Sequence, residues 1–344
     1  MNQPENKRPT VSIALCTYNG ESYLQAQWQS LLEQQQLPDE VIVCDDVSSD
    51  QTVDLLHKLS ANAPFRVHIV TNPTQLGYNK NFEKALSLCS GDLIFICDQD
   101  DFWLPEKMAT MLRFMEQRPA VQVAFNNAEL ADEHLKPINQ LFWEQVRFDP
   151  LTQDRWRAGE ALDILLDGNR MMGCASVIRR QFLPKLLPIP VDLPGYIYDG
   201  WLALVAAAYN AIDFVDKPMQ LYRIHVRQQV GVKGADDSAG KPISLWDRLS
   251  RERTIKLEPL QEKHQQLQSI YNFLTERVPA NAPGMPQICR RLSHYQMRSS
   301  LPDNRIKRFF PVIRNVWQGN YHRYADAAAN WYAPYLAALG DMLE

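Results

Sequence analysis

"LIFICDQDDFW", residues 93–103, is the stretch whose reading decides the fold. Leu93-Ile94-Phe95-Ile96-Cys97 reads as a buried strand, and it ends abruptly in Asp98-Gln99-Asp100-Asp101. Three carboxylates within four residues repel one another, and unpaired clustered charge away from water is costly. The run therefore asks for a partner of opposite charge.

Working outward, the same grammar recurs. Val11–Cys16 is a short apolar run closed by the turn Thr17-Tyr18-Asn19-Gly20. Residues 22–32 carry Leu24, Trp28, Leu31 and Leu32 at helical spacing. Glu40–Cys44 is a second strand, closed by Asp45-Asp46, and Thr52–Ser60 a second amphipathic helix. Phe65–Val70, Asn81–Leu88 and Leu93–Cys97 continue as strand, helix and strand. This alternation predicts a parallel, doubly wound sheet. Asn19-Gly20, Asp45-Asp46 and Asp98–Asp101 each follow a strand, and in an open parallel sheet those ends share one ligand-binding edge.

After Pro105 the pattern loosens. Residues 106–116 read as a helix, 121–125 and 173–178 as strands, and 201–209 as a strongly apolar helix opened by Asp199-Gly200. Residues 132–160 read as irregular. The stretch from 231 to 242 marks a boundary between a catalytic domain at 1–240 and a helical region at 241–344.

Bulk properties exclude several classes. The chain has 344 residues, 45% hydrophobic and 22% charged, enough for a sizeable core. A net charge of -4 argues against a nucleic-acid partner. The start, MNQPENKRP, lacks the apolar core of a signal peptide, and no apolar run approaches about 18 residues. The six cysteines lack CxxC spacing, so buried, reduced thiols in a cytoplasmic protein are expected.

Carboxylates at a strand end can ligate a divalent cation, share a proton, or act as nucleophile and acid. Mg²⁺ and Mn²⁺ favour hard oxygen ligands and bridge to substrate phosphates. Here a resemblance becomes specific. "VSIALCTYNGESYL", "VIVCDDVSSDQT", "LGYNKNFEKAL", "GDLIFICDQDDFWLPEKM", "YDGWLALVA" and "YRIH" occur in that order over residues 11–228. Together they resemble the inverting family 2 glycosyltransferases of GT-A fold, most of all the bacterial polysaccharide branch that includes rhamnosyltransferases. The resemblance implies a Rossmann-like, mostly parallel sheet flanked by helices, with a helical C-terminal extension.

It also implies roles. Thr17, Tyr18, Asn19 and Glu21 would border a nucleotide base and ribose. Asp45 or Asp46 would accept the N3–H of uracil or thymine. Lys80, supported by Asn81, would lie near the diphosphate. Asp98 would contact ribose or donor sugar, and Asp100, with Asp101 beside it, would bind Mn²⁺ or Mg²⁺. Asp199 matches the family's base-bearing motif, with helix capping as the other reading of that residue. Val47 stands where the family has Gly, and Tyr198 and Gly200 depart from its usual "HDWW". Arg223, His225 and Arg227 alternate along an extended segment, so they would share one face able to clamp phosphate or to add His225 as a metal ligand.

The implied partners are a dTDP- or UDP-linked sugar and a hydroxyl of a growing, lipid-linked or cell-surface glycan such as lipopolysaccharide. Between Arg290 and Arg314 lie seven Lys or Arg and one acid, Asp303, interleaved with Phe309, Phe310, Val312 and Ile313. Such a segment either rests peripherally on the cytoplasmic face of the inner membrane or packs its apolar face onto the catalytic domain. Two other functions compete: a non-catalytic glycan- or nucleotide-binding scaffold on the same fold, and an aspartyl-phosphate hydrolase. Asp101-Phe102-Trp103 lacks the Gly-Thr-like continuation expected of the latter.

Overall fold

Leu93–Asp98 forms the central strand β4 of a nine-stranded sheet in a computed structural model that describes residues 8–226, 228, 253–325 and 330–343. β1 (Val11–Thr17), β2 (Glu40–Asp45) and β3 (Arg66–Thr71) run parallel to it in the order β3-β2-β1-β4. They are joined by α1 (Glu21–Leu32), α2 (Thr52–Ser60) and α3 (Gly77–Leu88). Residues alternate between the two faces of a strand. Val11, Ile13, Leu15, Val41, Val43, Phe95 and Cys97 therefore gather with Leu24, Trp28 and Leu31 of α1 in one core. Each such fully buried large side chain contributes about 1.5–3 kcal/mol. On the other face, α3 lies against β1 and β2 through Phe82, Ala85 and Leu86.

Beyond β4 the sheet is mixed, where the alternation predicted a parallel one. The neighbour of β4 is β8 (Ser176–Arg179), antiparallel to it. Then come β6 (Val123–Ala131), antiparallel to β8, and β9 (Ile212–Arg223), parallel to β6. β5 (Phe102–Trp103) pairs with β9, and β7 (Pro137–Leu141) with β6. An apolar run marks a buried strand and carries no direction, so the reversal is invisible in the pattern.

The segment expected to be irregular is built around aromatic packing. After β7 come α5 (Phe142–Gln145) and α6 (Pro150–Arg155). Trp143, Phe148 and Trp156 surround Phe125 and Phe214, with ring centroids from 4.9 to 6.2 Å apart. Several pairs are edge-to-face, the arrangement the ring quadrupole favours.

α4 (Lys107–Gln117) packs Met108, Met111, Leu112 and Met115 into the sheet core. After the short helices α7 (Ala161–Leu165) and α8 (Leu183–Leu186), α9 (Tyr198–Ala208) is buried along all of its length, as an all-round apolar helix must be. It begins three residues before the helix read from the sequence.

Arg227 and the expected boundary at 231–242 lie outside the described residues. Of the described residues, those up to 228, with Arg277–Ala282, form one compact unit, and 253–276 with 283–343 form another. The second is helical: Arg253–Thr275, Met285–Ser299, Arg305–Trp317, Asn320–Arg323 and Ala333–Leu343. Leu301, Val312, Tyr321 and Ala338 form its small core. Arg298 and Tyr321 both bond the buried Asp341, at 2.7 and 2.6 Å.

Candidate active site

The registers Thr17↔Asp45 and Cys16↔Asp98 bring the ends of β1, β2 and β4 to one edge. The turn after β1 is locked to the turn after β2. Asp45 accepts from Thr17 Oγ1 at 2.8 Å and from Ser48 N at 2.9 Å. Asn19 donates its N–H to Ser48 Oγ at 2.9 Å and accepts from Ser49 N at 2.8 Å. Glu21 accepts from Gln51 N at 3.2 Å.

Asp46 faces the start of α3. It accepts from Leu76 N at 2.7 Å, Gly77 N at 2.8 Å and Asn72 Nδ2 at 2.8 Å. A carboxylate there answers the unpaired N–H groups and positive end of the helix. Asn81 donates to Cys44 O at 2.9 Å and accepts from Asn72 at 2.9 Å, tying α3 to β2. Lys80 pairs with Glu83 at 2.8 Å and donates to Ile189 O at 2.9 Å.

Val47 has a φ of 67° and is 41% exposed. A β-branched residue is strained in this left-handed region, where Gly is not. The turn thus keeps the backbone shape of a glycine turn without the glycine. Val47→Gly is expected to raise stability by ~1 kcal/mol, read as a higher urea midpoint at unchanged slope.

On the β4 side, Gln99 is the clamp. Its Oε1 accepts from Tyr18 N at 2.8 Å and its Nε2 donates to Tyr18 O at 3.0 Å. A Cβ on Gly20 would stand 2.1 Å from Gln99 Oε1, so a larger residue here would push the Gln99 amide off Tyr18. The acids around Gln99 have different surroundings. Asp98 is half-buried, and burial, then Asp100 and Asp101, push its carboxyl well above the usual range. Asp100 contacts His225 Nε2 at 3.1 Å, and its backbone carbonyl accepts from Arg223 Nε at 2.6 Å. Asp101 is fully buried, accepts from Gln220 Nε2 at 3.2 Å, and is pushed up to about 7 by burial and then by Asp100.

Lys107 lies behind Asp101. Its Nζ donates to Cys174 O at 2.6 Å and Gln220 Oε1 at 2.5 Å, and sits 3.7 Å from the centre of the Trp103 ring. Burial lowers its pKa to about 8.

Asp199 lies in the first turn of α9, past the N-cap, which is Ile197. It accepts from Gly173 N at 3.2 Å and Gly200 N at 2.6 Å. Burial raises its pKa to about 7 despite those bonds. Tyr198 stacks on Phe82 at 4.2 Å. A Cβ on Gly173 would fall 2.1 Å from the Tyr198 hydroxyl, so glycine here is needed for close approach. Arg223 keeps Nη2 buried without a hydrogen-bond partner and lies over the Tyr23 ring at 5.0 Å, while His225 packs tilted against the same ring, centroids 4.2 Å apart.

The crevice thus collects Asp98, Asp100, Asp101, Arg223 and His225, with Asp199 near enough to raise Asp98. Ligand atoms of Asp98, Asp101 and Cys174 lie within 4.8 Å of one another. The carboxylates suit a hard cation. Cys174 does not, because burial pushes its thiol pKa well above the usual value and keeps it neutral. Gln99, Lys107, Gln220 and Tyr23 escaped the sequence reading. Two carried a signal: Gln99 is the neutral member of an acidic run, and Lys107 falls in register with Met111 and Met115 on a buried helix face.

A crevice of this kind at the strand ends of a mixed α/β sheet is that of a nucleotide-sugar transferase fold, and residues 12–185, half of the chain, match the profile of glycosyl transferase family 2. The chain belongs to that family. It is 25% identical to the dTDP-rhamnosyl transferase RfbG of Shigella flexneri over 249 residues, 67% of this chain and 78% of RfbG. It is 27% identical over 220 residues, 62% of this chain, to the uncharacterized protein Rv1520 of Mycobacterium tuberculosis, of which it spans 59%. Among solved structures it is similar to S. aureus TarS 1-349 in complex with UDP, with a TM-score of 0.50 at 15% identity, covering 93% of this chain and 94% of that one. The mannosyltransferase PcManGT from Pyrobaculum calidifontis, with GDP-Man and Mn²⁺, also gives 0.50 at 15% identity, over 97% and 80%. These likenesses establish the GT-A fold. No described helix is long and apolar enough to cross a membrane.

Proposed function

We propose that the chain is a metal-dependent inverting glycosyltransferase. It moves a hexosyl or deoxyhexosyl group, with rhamnosyl the first candidate, from a dTDP- or UDP-sugar to a hydroxyl of a growing cell-surface or lipopolysaccharide glycan. One observation carries this reading: the half-buried Asp98 at the end of β4 and the buried Asp101 of the turn after it share one crevice with the buried Asp199 of α9, and burial raises the pKa of each. Clustered carboxylates of that kind call for a cation, and a base near pH 7 suits proton abstraction. The printed name of RfbG supports dTDP-rhamnose, and UDP bound to TarS supports a pyrimidine donor.

In this reading Asp199 takes the proton of the acceptor hydroxyl. That oxygen forms a bond to the anomeric carbon as the carbon–phosphate oxygen bond breaks, and the nucleoside diphosphate leaves with the electron pair. Arg223, with Nη2 unpaired, meets the charge that develops on the leaving group. Asp100 and Asp101, with His225, would hold Mn²⁺ or Mg²⁺, which supplies further charge neutralisation there. Thr17, Tyr18, Asn19 and Glu21 border the base and ribose. Asp45 or Asp46 accepts the N3–H, and Lys80 with Asn81 serves the diphosphate. Asp45 and Asp46 already hold backbone and side-chain partners, so each would share an oxygen with the base. Lys80 would exchange Glu83 for phosphate. The catalytic domain spans 1–240, and a lipid-linked acceptor would bring the protein to the cytoplasmic face of the inner membrane.

The test is thermal unfolding with UDP-, dTDP- and GDP-sugars, with and without Mn²⁺. The cognate donor at 100 times its Kd is expected to stabilise by ~2.7 kcal/mol, and no shift with any donor would overturn the reading. Asp100→Asn is expected to abolish the Mn²⁺-dependent part of that shift and to lower turnover at least ~100-fold. Turnover equal to wild type would sink the metal assignment. Donor binding without transfer to any acceptor would favour the scaffold reading.

A further inference from the structure

The helix Arg305–Trp317 turns its apolar stripe outward. Ile306, Phe310 and Trp317 are 85%, 75% and 88% exposed, and Phe309 is 59% exposed. With the half-buried Ile313 they fall at positions i, i+3, i+4, i+7 and i+11, which is one face of a helix. The inward face is different: Arg308 is buried, with its guanidinium on the carbonyls of Pro302 and Asp303, and Val312 joins the small core. The usual orientation, apolar in and polar out, is reversed for these large residues.

Basic residues border the stripe. Lys307 and Arg314, seven residues apart, lie along one edge, and Arg305 along the other. Lys307, Arg314 and Arg305 have no acidic partner among the described residues. In water such a face is unfavourable, since contiguous exposed apolar patches are rare on soluble proteins. A protein partner would need an apolar groove with an acidic rim matched to this helix. A bilayer of anionic lipid satisfies stripe and rim together, with aromatic rings at the headgroup level and cations over the phosphates. The tryptophan at the helix end suits that boundary, being apolar in body with one N–H for the wet side.

We infer that the helix Arg305–Trp317 is an interfacial anchor that lies flat on an anionic lipid surface, with Ile306, Phe309, Phe310, Ile313 and Trp317 in the acyl boundary and Arg305, Lys307 and Arg314 at the headgroups. The choice of lipid rests in part on the lipid-linked acceptor proposed above.

The experiment is vesicle co-sedimentation of the full chain with phosphatidylglycerol–phosphatidylcholine vesicles and with phosphatidylcholine alone. The wild type is expected to bind the anionic vesicles and to be released by 0.5 M salt, roughly three times physiological ionic strength. F310S/W317S and K307E/R314E are each expected to weaken partitioning by about tenfold or more. All four side chains are exposed, so circular dichroism and the unfolding midpoint should not change. Equal binding by either variant, or no binding by wild type, would overturn the anchor. So would light scattering that gives a wild-type dimer and an F310S/W317S monomer, because the stripe would then be covered by a second copy. Donor turnover with a soluble acceptor is measured on the same samples. If it is absent while vesicle binding holds, the transferase reading fails and the anchor stands.

Discussion

Asp199→Asn is expected to lower transfer by 10²–10⁴-fold while leaving the donor Kd within about twofold, the range that loss of a general base produces. The geometry behind the expectation is a carboxyl buried in the first turn of α9 and held by Gly173 N and Gly200 N. Its pKa is raised to about 7 by burial. The base acts only when ionised, so kcat/KM of the wild type should rise about tenfold per pH unit below that value and level above it. In Asp199→Asn this limb should vanish. A residual activity with the same limb would assign the base elsewhere.

The same shift has a consequence for stability. The folded-state pKa lies above the ordinary 3.8, so the folded protein favours the protonated form. Its contribution is complete below about pH 3.8 and declines as pH rises towards 7. Asparagine removes that penalty and also removes one acceptor oxygen. The first change is the larger, since the pKa is raised from 3.8 to about 7, so the variant is expected to be at least as stable as wild type at pH 8. The loss of rate is then not a loss of fold.

Lys107→Met is expected to destabilise the protein by ~3–5 kcal/mol at pH 7.5, read as a drop in the urea midpoint. Removing the ammonium leaves two buried acceptors, Cys174 O and Gln220 Oε1, unsatisfied at about 1–3 kcal/mol each, and takes away the cation near Asp101 and Asp98. Lys107 is fully buried between Cys174 O, Gln220 Oε1 and the Trp103 ring. Methionine fills much of the volume and supplies no donor. Gln220 then loses the bond that aims its amide at Asp101, so the acidic turn should loosen as well. Arginine is no rescue, because its planar fork does not fit a space built for one ammonium. A loss under ~1 kcal/mol would mean that the pocket admits water to replace the donor.

The first half of the sheet was legible because two signals agree there. The runs at 11–16, 40–44, 65–70 and 93–97 differ from the observed strands by a residue or so at their ends. The helix at 52–60 has the observed bounds. Binary pattern and turn chemistry are both local, and both point to the same element type. The second half lacked that agreement. Strand direction, the pairing of β4 with β8 and the aromatic packing around Phe125 depend on residues far apart in the chain.

By itself, the sequence determined that apolar runs end in Asp45-Asp46 and Asp98–Asp101 on one sheet edge, and that a basic, aromatic segment lies near the C-terminus. Those are statements about composition along a strand or a helix, which local chemistry settles. Only the tertiary structure separated the acids. Asp46 faces the N-terminus of α3, Asp101 is buried against Gln220, and Asp100 faces His225. It also turned the stripe of Ile306, Phe310 and Trp317 outward. What a carboxylate or an aromatic ring does depends on the groups folding brings near it and on how far they exclude water, because Coulomb energy varies with both distance and local dielectric.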